Sequence, residues 1–320
     1  MRVVRLSDSP GAAALSQGDA PRPQPGRGEL QIRVSAAGII PTELTWYPTS
    51  HTKAGEARKR AVPCHEFSGV VAAVGQDVGS LEIGREVFGM NDWYSDGALA
   101  EYCLAPFFAV APKPTKLTHA EAATVPISAL TAWQGLFDRA GLKPGERVLV
   151  HGAAGSVGEF AVQLARLHGA HVIATASGAD LGFVKDLGAE RVIDHRASRF
   201  EDSVSEMDVV FDTVGGDTLR RSWAVLKSGG RMVTIVSAAE PSTDPRASKA
   251  FFIVEPNQKQ LFEIARLLDA GQLHTAVASV IPLSQAQKGY AGKLPRQGHG
   301  KVVVAVTNPV ADTAAPPAPR

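Results

Sequence analysis

Seven consecutive residues, Gly152-Ala153-Ala154-Gly155-Ser156-Val157-Gly158, have the types and spacing to hold a phosphate against bare backbone. A pyrophosphate reaches a helix N-terminus only where no side chain intervenes, so glycines occupy such a turn and free N–H groups face the anion. A glycine triplet alone marks only a tight turn; its flanks give it meaning here. Val148-Leu149-Val150 reads as a buried strand, and Phe160, Val162, Leu164, Ala165 and Leu167 repeat with a helical period. Gly169 closes that helix, and Val172-Ile173 opens a second strand. Strand, glycine turn, helix and strand make the first half of a nucleotide-binding, doubly wound sheet.

The second strand ends at Thr175-Ala176-Ser177, with no acid at its tip. A carboxylate there holds the ribose hydroxyls of NAD and repels a 2′-phosphate, so its absence favours NADPH over NADH. Ser177 can donate to that phosphate, and His195 and Arg196, after the short strand Arg191-Val192-Ile193, can add positive charge. Two other readings stand beside these. Ser177 with Asp180 also spells a capping box, and Arg196 also fits a solvated surface charge.

The elements that must position this turn differ along the chain. Residues 1–120 hold short apolar runs between Gly/Pro turns: 30–34, 69–75, 84–89 and 97–102. That is the texture of a mostly β domain. Thr118 and Glu121 form a capping box ahead of an Ala-rich helix, and a further helix is expected over 128–139. Beyond the glycine unit come a strand at 208–212, a helix at 217–226 stopped by Gly229-Gly230, and a strand at 231–236. Strand and helix alternate from about 146 to 237, which predicts parallel pairing with right-handed crossovers. An amphipathic helix is expected over 258–270, and a last strand at 301–306 is expected to return to the β domain.

Composition narrows the classes. The chain has 320 residues, enough for two domains, with 44% hydrophobic and 20% charged residues. A net charge of +1 and the absence of a basic block argue against nucleic-acid binding. No run approaches the ~18 apolar residues of a membrane helix. The N-terminus lacks a secretory apolar core, and two cysteines, Cys64 and Cys103, suit a reducing compartment, so a cytoplasmic location is expected. The Pro/Ala-rich stretch 309–320 reads as a disordered tail.

Several segments together resemble one family: Ala36-Ala37-Gly38-Ile39-Ile40-Pro41-Thr42-Glu43, Gly69-Val70-Val71 with Val74-Gly75, Gly84-Arg85-Glu86-Val87-Phe88-Gly89, Leu130-Thr131-Ala132-Trp133, the glycine turn, and Gly300-Lys301-Val302-Val303. They look like the medium-chain dehydrogenase/reductases, in the zinc-free quinone oxidoreductase-like branch, from about residue 28 to 306. The resemblance implies an α/β chain in which a Rossmann doubly wound parallel sheet joins a GroES-like, mostly β catalytic domain. The implied domains are 1–122 (catalytic, first part), 123–255 (Rossmann) and 256–308 (return to the catalytic domain), with the cofactor cleft at their junction. Homodimers are common in this branch.

Cys64-His65-Glu66 is similar to the His-Glu pair of the superfamily's zinc alcohol dehydrogenases. Catalytic zinc takes three protein ligands, and where those enzymes place cysteines this chain has Ile40 and, near the other position, Ile127. His65 and Glu66 are therefore expected to lack partner ligands, and no metal is predicted. Without a Lewis acid to stabilise an alkoxide, reduction of a quinone or an activated C=C bond of an α,β-unsaturated carbonyl is favoured, because conjugation spreads the charge that hydride brings. An alcohol dehydrogenase with an atypical site and a non-catalytic NADPH-binding sensor or scaffold are the competing readings.

The proton donor stays open between Tyr47, whose phenol can act as a general acid, and water. Trp46 and Tyr47 fit equally an aromatic wall. Glu43 can stand where many relatives have an aspartate, and Ile40 replaces their asparagine. Ile40, Trp46, Trp93 and Tyr94 are expected to border the substrate. The family pattern further implies coenzyme contacts at Thr131, the turn residues, Ser177, His195, Thr213, Val236, Ser237 and the 251–254 segment with Phe252 and Val254. The lysine that many NADPH-using relatives carry just after Ser177 is absent, with Ala179, Asp180 and Leu181 in that region.

Overall fold

The computed structural model describes residues 1–7, 14–79, 81–236, 245–294 and 298–307. Ser237 and the 309–320 stretch lie outside these residues. The chain divides into two units. One comprises Met1–Pro126, Asn257–Ala265 and the chain from Ala276 onward; the other comprises Ile127–Pro256 and Arg266–Thr275.

The first unit is built on a seven-stranded sheet. Its order is Val277–Pro282, Lys301–Ala305, Glu29–Gly38, Glu66–Val74, Glu86–Met90 and Val110–Pro112, and Tyr102–Pro106 also pairs with Glu29–Gly38. The returning strand Lys301–Ala305 runs antiparallel to Glu29–Gly38. This long strand sits at the centre because Leu30, Ile32 and Val34 alternate into the core, where Phe67, Val87 and Leu99 meet them. The 97–101 segment, expected as strand, holds only the single bridge Val3–Ala100. A Thr118–Glu121 capping box opens the helix His119–Ala122.

The second unit is a five-stranded sheet, parallel throughout. Its order is Arg191–Asp194, His171–Ala176, Arg147–His151, Met207–Asp212, Leu226–Thr234. The strand continuous with the glycine turn is therefore central. The order reverses between it and Met207–Asp212, which is where open α/β sheets bind ligands. Two expectations fail locally. The 217–226 helix ends at Ser222 and gives way to a 3₁₀ turn, and Gly229-Gly230 lies inside the strand Leu226–Thr234 rather than before it. Gly229, at φ +74°, and a register shift between Met207 and Val209 absorb the irregularity. The helix expected over 128–139 is α-helical as Pro126–Trp133 and then π-helical as Gln134–Arg139.

Candidate functional site

The glycine turn is shaped by three close approaches. Gly152 has φ +67°, and a Cβ there lies 2.3 Å from Thr213 Oγ1. A Cβ on Gly158 lies 2.3 Å from the Gly152 carbonyl oxygen, so the helix packs directly on the turn. The Ala153 N–H donates to the Thr175 carbonyl (3.1 Å), and Gly155 is the N-cap of the helix Ser156–Leu167. The helix's first bond runs from the Glu159 N–H to the Gly155 carbonyl, 2.9 Å. The amides of Ser156, Val157 and Gly158 precede that ladder and point out of the helix end. With the half-exposed Ala154 they form a cradle that fits a dinucleotide's phosphates.

Around the cradle the strand tips are locked. Thr213 Oγ1 donates to the His151 carbonyl (2.8 Å), joining the two central strands across the switch point. The buried Asp212 carboxylate accepts from Thr234 Oγ1 and from the Val214 and Gly215 amides at 2.8 to 3.1 Å. Burial raises its pKa, and those hydrogen bonds work against the rise. Val236 packs on Gly215, donating its N–H to Thr234 Oγ1 (3.2 Å). Thr131 is buried, and its hydroxyl donates to the Ile127 carbonyl at 2.5 Å. Phe252 and Val254 are buried, and Gln134 of the π-helical turn clamps that segment with two hydrogen bonds to the Glu255 backbone, 2.7 and 3.0 Å. Gln134 and the buried His151 escaped the sequence reading. His151 bridges Thr175 Oγ1 (3.0 Å) and Ser222 Oγ (2.9 Å), and burial pushes its pKa down to about 3.

The second strand ends at Ala176 without an acid, and two acids from other elements lie beside the residues that follow it. Ser177 Oγ donates to Asp180 Oδ2 at 2.5 Å, and Ser177 makes no side-chain cap bond to the helix backbone, so the capping box does not form. Asp194, opposite Ala176 in register, brings Oδ2 within 2.8 Å of where a Gly178 Cβ stands. His195 turns its Nδ1 onto the Ala176 carbonyl (2.8 Å). Arg196 is exposed, and its backbone N–H donates to Asp194 Oδ1 (2.9 Å).

In the first unit, Glu43 anchors a buried polar group. It is fully buried on the 3₁₀ turn Pro41–Thr45. Its Oε1 accepts from the Cys64 N–H (2.7 Å) and the Tyr290 hydroxyl, and its Oε2 lies 3.3 Å from His65 Nδ1. Burial, then the neighbouring Glu43, pushes the Tyr290 phenol and the Cys64 thiol up. Tyr290 was not singled out from sequence. His65 and Glu66, expected to lack partner metal ligands, are both held by structural contacts. His65 Nε2 lies 3.2 Å from the Ser95 carbonyl, and Glu66 forms a buried ion pair with Lys301.

These contacts test a zinc site. Both His65 nitrogens are occupied, Glu66 faces an ammonium, and Cys64 Sγ donates to the Gly38 carbonyl (2.9 Å). The half-buried Ile40 offers no donor atom. Among the described residues no three such side chains are placed to hold a metal, so the donor set does not fit one.

The aromatic residues separate into three groups. Trp46 and Trp93 meet edge to face with ring centroids 5.4 Å apart, and Trp93 lies 5.5 Å from the His65 ring. Tyr47, expected beside Trp46 in one wall or as an acid, is 54% exposed and stacks on His51 at 4.3 Å. Tyr94 is half-buried under Lys53, whose Nζ sits 5.6 Å above its ring and pairs with Asp92.

Known proteins agree with this architecture. Residues 26–115 match the alcohol dehydrogenase GroES-like domain, and residues 187–304 match the zinc-binding dehydrogenase family. A probable zinc-binding oxidoreductase, mitochondrial, of Arthroderma benhamiae is 32% identical over 92% of this chain and 94% of its own length. The 2-methylene-furan-3-one reductase of Solanum lycopersicum is 33% identical over 80% of this chain and 66% of its own. The quinone oxidoreductase from Coxiella burnetii superposes with a TM-score of 0.87 at 28% identity, covering 96% of this chain and 99% of that one. With a GroES-like unit and a Rossmann-like parallel sheet in one polypeptide, the chain belongs to the medium-chain dehydrogenase/reductase superfamily, in its quinone oxidoreductase-like branch.

Proposed function

We propose that this oxidoreductase is a zinc-independent reductase that passes hydride from a nicotinamide dinucleotide to a quinone or to the activated C=C bond of an α,β-unsaturated carbonyl. The observation that supports this most is that a chain carrying the glycine cradle in one unit has, in the other, a His65 whose two nitrogens are already engaged. Bound reduced nicotinamide supplies the hydride. Conjugation in the acceptor delocalises the resulting charge, so orientation and exclusion of water are what the protein must add.

The residues divide the work as follows. The turn from Gly152 to Gly158 holds the phosphates, and Thr131, Thr213, Val236, Phe252 and Val254 shape the nicotinamide end. Trp46 and Trp93, with Ile40 and Tyr94, hold a flat acceptor. Glu43 positions His65 and the Cys64 backbone and does not move a proton, since its oxygens are buried and engaged. The exposed Tyr47 hydroxyl or water delivers the proton. NADPH, the coenzyme favoured from sequence, draws on His195 and Arg196 for its 2′-phosphate, and Asp180 and Asp194 oppose it. The 2-methylene-furan-3-one reductase and the quinone oxidoreductase support the acceptor class.

We place the protein in a reducing compartment, the cytoplasm, as a homodimer. The strand Leu226–Thr234 closes one edge of the parallel sheet, with no further named strand beyond it among the described residues, and offers a surface for a second copy. The mass in solution tests this.

The test of activity is coenzyme oxidation with a panel of quinones and α,β-unsaturated carbonyls, beside a metal assay. Turnover with sub-stoichiometric zinc supports the proposal. Stoichiometric zinc with alcohol oxidation contradicts it, as does coenzyme binding without turnover of any acceptor, which is the behaviour of a sensor.

A further inference from the structure

A cavity of about 460 Å³ opens in the first unit, and none of the residues assigned above to coenzyme or acceptor lines it. Its size falls within the range of about 300–1,000 Å³ that holds a small organic molecule. The strand Arg2–Leu6 forms one wall. Its period of two places Val3 and Arg5 on the same face, so an apolar side chain and a guanidinium line the cavity side by side. Val62 and Tyr102 extend the lining, and Arg60 supplies a second guanidinium.

Neither arginine pairs with an acid among the described residues. Arg5 donates Nη2 to the backbone carbonyl of Asp19, and its Nε is buried with no acceptor among the described residues. A donor left in that state costs about 1–3 kcal/mol. Arg60 is held at φ +57°, a left-handed backbone that costs a residue other than glycine about 1–3 kcal/mol. Its neighbours hold it there: the Arg58 guanidinium and the Val62 N–H both donate to Asp96 Oδ1, each at 3.0 Å. Asp96 also lines the cavity, and its charge is thus spent on Arg58 rather than on Arg60. Arg22 adds a further cation nearby. It stacks on Tyr102, 3.9 Å from the ring centroid, and donates to the Gln31 side-chain oxygen instead of an acid.

We propose that this cavity binds an organic carboxylate, with its anionic head at Arg5 and Arg60 and an apolar body against Val3, Val62 and Tyr102. The head gives the Arg5 Nε–H the acceptor it lacks. A monoanion suits the site better than a phosphate dianion, because the Asp96 carboxylate stays in the wall and Arg5 has already given one nitrogen to a backbone carbonyl. The site is separate from the glycine turn and does not depend on the proposed function.

The test is a calorimetric titration of the full chain with octanoate. Octanamide serves as its uncharged counterpart, and inorganic phosphate as the charge without the body. Octanoate is expected to bind at one molecule per chain, at least about tenfold more tightly than either control, and more weakly as salt rises. Arg5→Gln and Arg60→Gln are each expected to raise the octanoate Kd at least about fivefold, since each removes a charge-assisted hydrogen bond. Arg60 is exposed, so its variant carries the test should Arg5→Gln fail to fold. Trp93→Ala is expected to leave octanoate binding unchanged. Absence of octanoate binding, equal binding of octanamide or phosphate, or an unchanged Kd in Arg60→Gln overturns the proposal. Loss of octanoate binding in Trp93→Ala also overturns it, because the ligand then sits with the acceptor.

Discussion

The carboxylate of Glu43 lies 3.3 Å from Nδ1 of His65, and both side chains are buried. The same carboxylate holds the Cys64 N–H and the Tyr290 hydroxyl, so one acid joins the 3₁₀ turn, the segment before the strand Glu66–Val74 and the C-terminal helix Ala286–Tyr290. Removing it strands several buried polar groups at once, each at about 1–3 kcal/mol. Glu43→Ala is therefore expected to lower stability by about 3 kcal/mol or more, read as the urea midpoint. Glu43→Gln keeps an acceptor and is expected to lose less.

Lys301 and Glu66 form a second buried connection between distant parts of the chain. Taking away one partner leaves an uncompensated charge, whereas replacing both with apolar residues can be close to neutral. Lys301→Met is expected to cost about 3–5 kcal/mol. The double variant Lys301→Met with Glu66→Leu is expected to recover most of that loss in the same unfolding measurement.

Gly152 is held at φ +67°, against Thr213. A methyl group there adds left-handed strain of about 1–2 kcal/mol and pushes the turn off the His151 strand tip. Gly152→Ala is expected to raise the coenzyme Kd at least about tenfold. Gly141→Ala strains a left-handed glycine with nothing within 4 Å of its Cβ, in the loop before the strand begins, and is expected to leave that Kd unchanged.

His151 carries a pH signature. Burial holds its folded pKa near 3, below the ordinary 6.5, so the unfolded chain takes up the proton first. Its contribution to stability is complete above about pH 6.5 and is lost as the pH falls toward 3. Between pH 6.5 and 5 the loss amounts to about 2 kcal/mol. His151→Gln is expected to flatten this part of the stability profile, as measured by urea unfolding at pH 7 and pH 5.

The fold was legible where a single segment carries its own pattern. The strand Arg147–His151 and the helix Ser156–Leu167 follow from apolar periodicity and glycine placement within one stretch. Gly229-Gly230 misled because glycine pairs punctuate helices and also sit in irregular strands. Contacts set by tertiary packing were not legible. Tyr290 and Glu43 are 247 positions apart, and Gln134 and Glu255 are 121 apart. The acid beside Gly178 was missed for the same reason: Asp194 belongs to the adjacent strand, and only the parallel register opposite Ala176 brings it there. The aromatic wall was read from neighbours in sequence, but the backbone turn sends Trp46 to Trp93 and Tyr47 to His51.

Trp46 and Trp93 carry the acceptor in this account. Truncating Trp93 removes the edge-to-face partner and one wall, worth about 0.5–1.5 kcal/mol beyond the buried area. Trp93→Ala is expected to raise KM for a quinone or enone about tenfold while leaving the coenzyme Kd unchanged, which steady-state kinetics and calorimetry together resolve.

The central claim is that the turn from Gly152 to Gly158 grips a nicotinamide dinucleotide. Calorimetric titration of the folded chain with reduced and oxidised coenzyme tests it most directly. The account predicts saturable binding at one molecule per chain that Gly152→Ala weakens at least about tenfold; a folded chain that takes up neither form contradicts it.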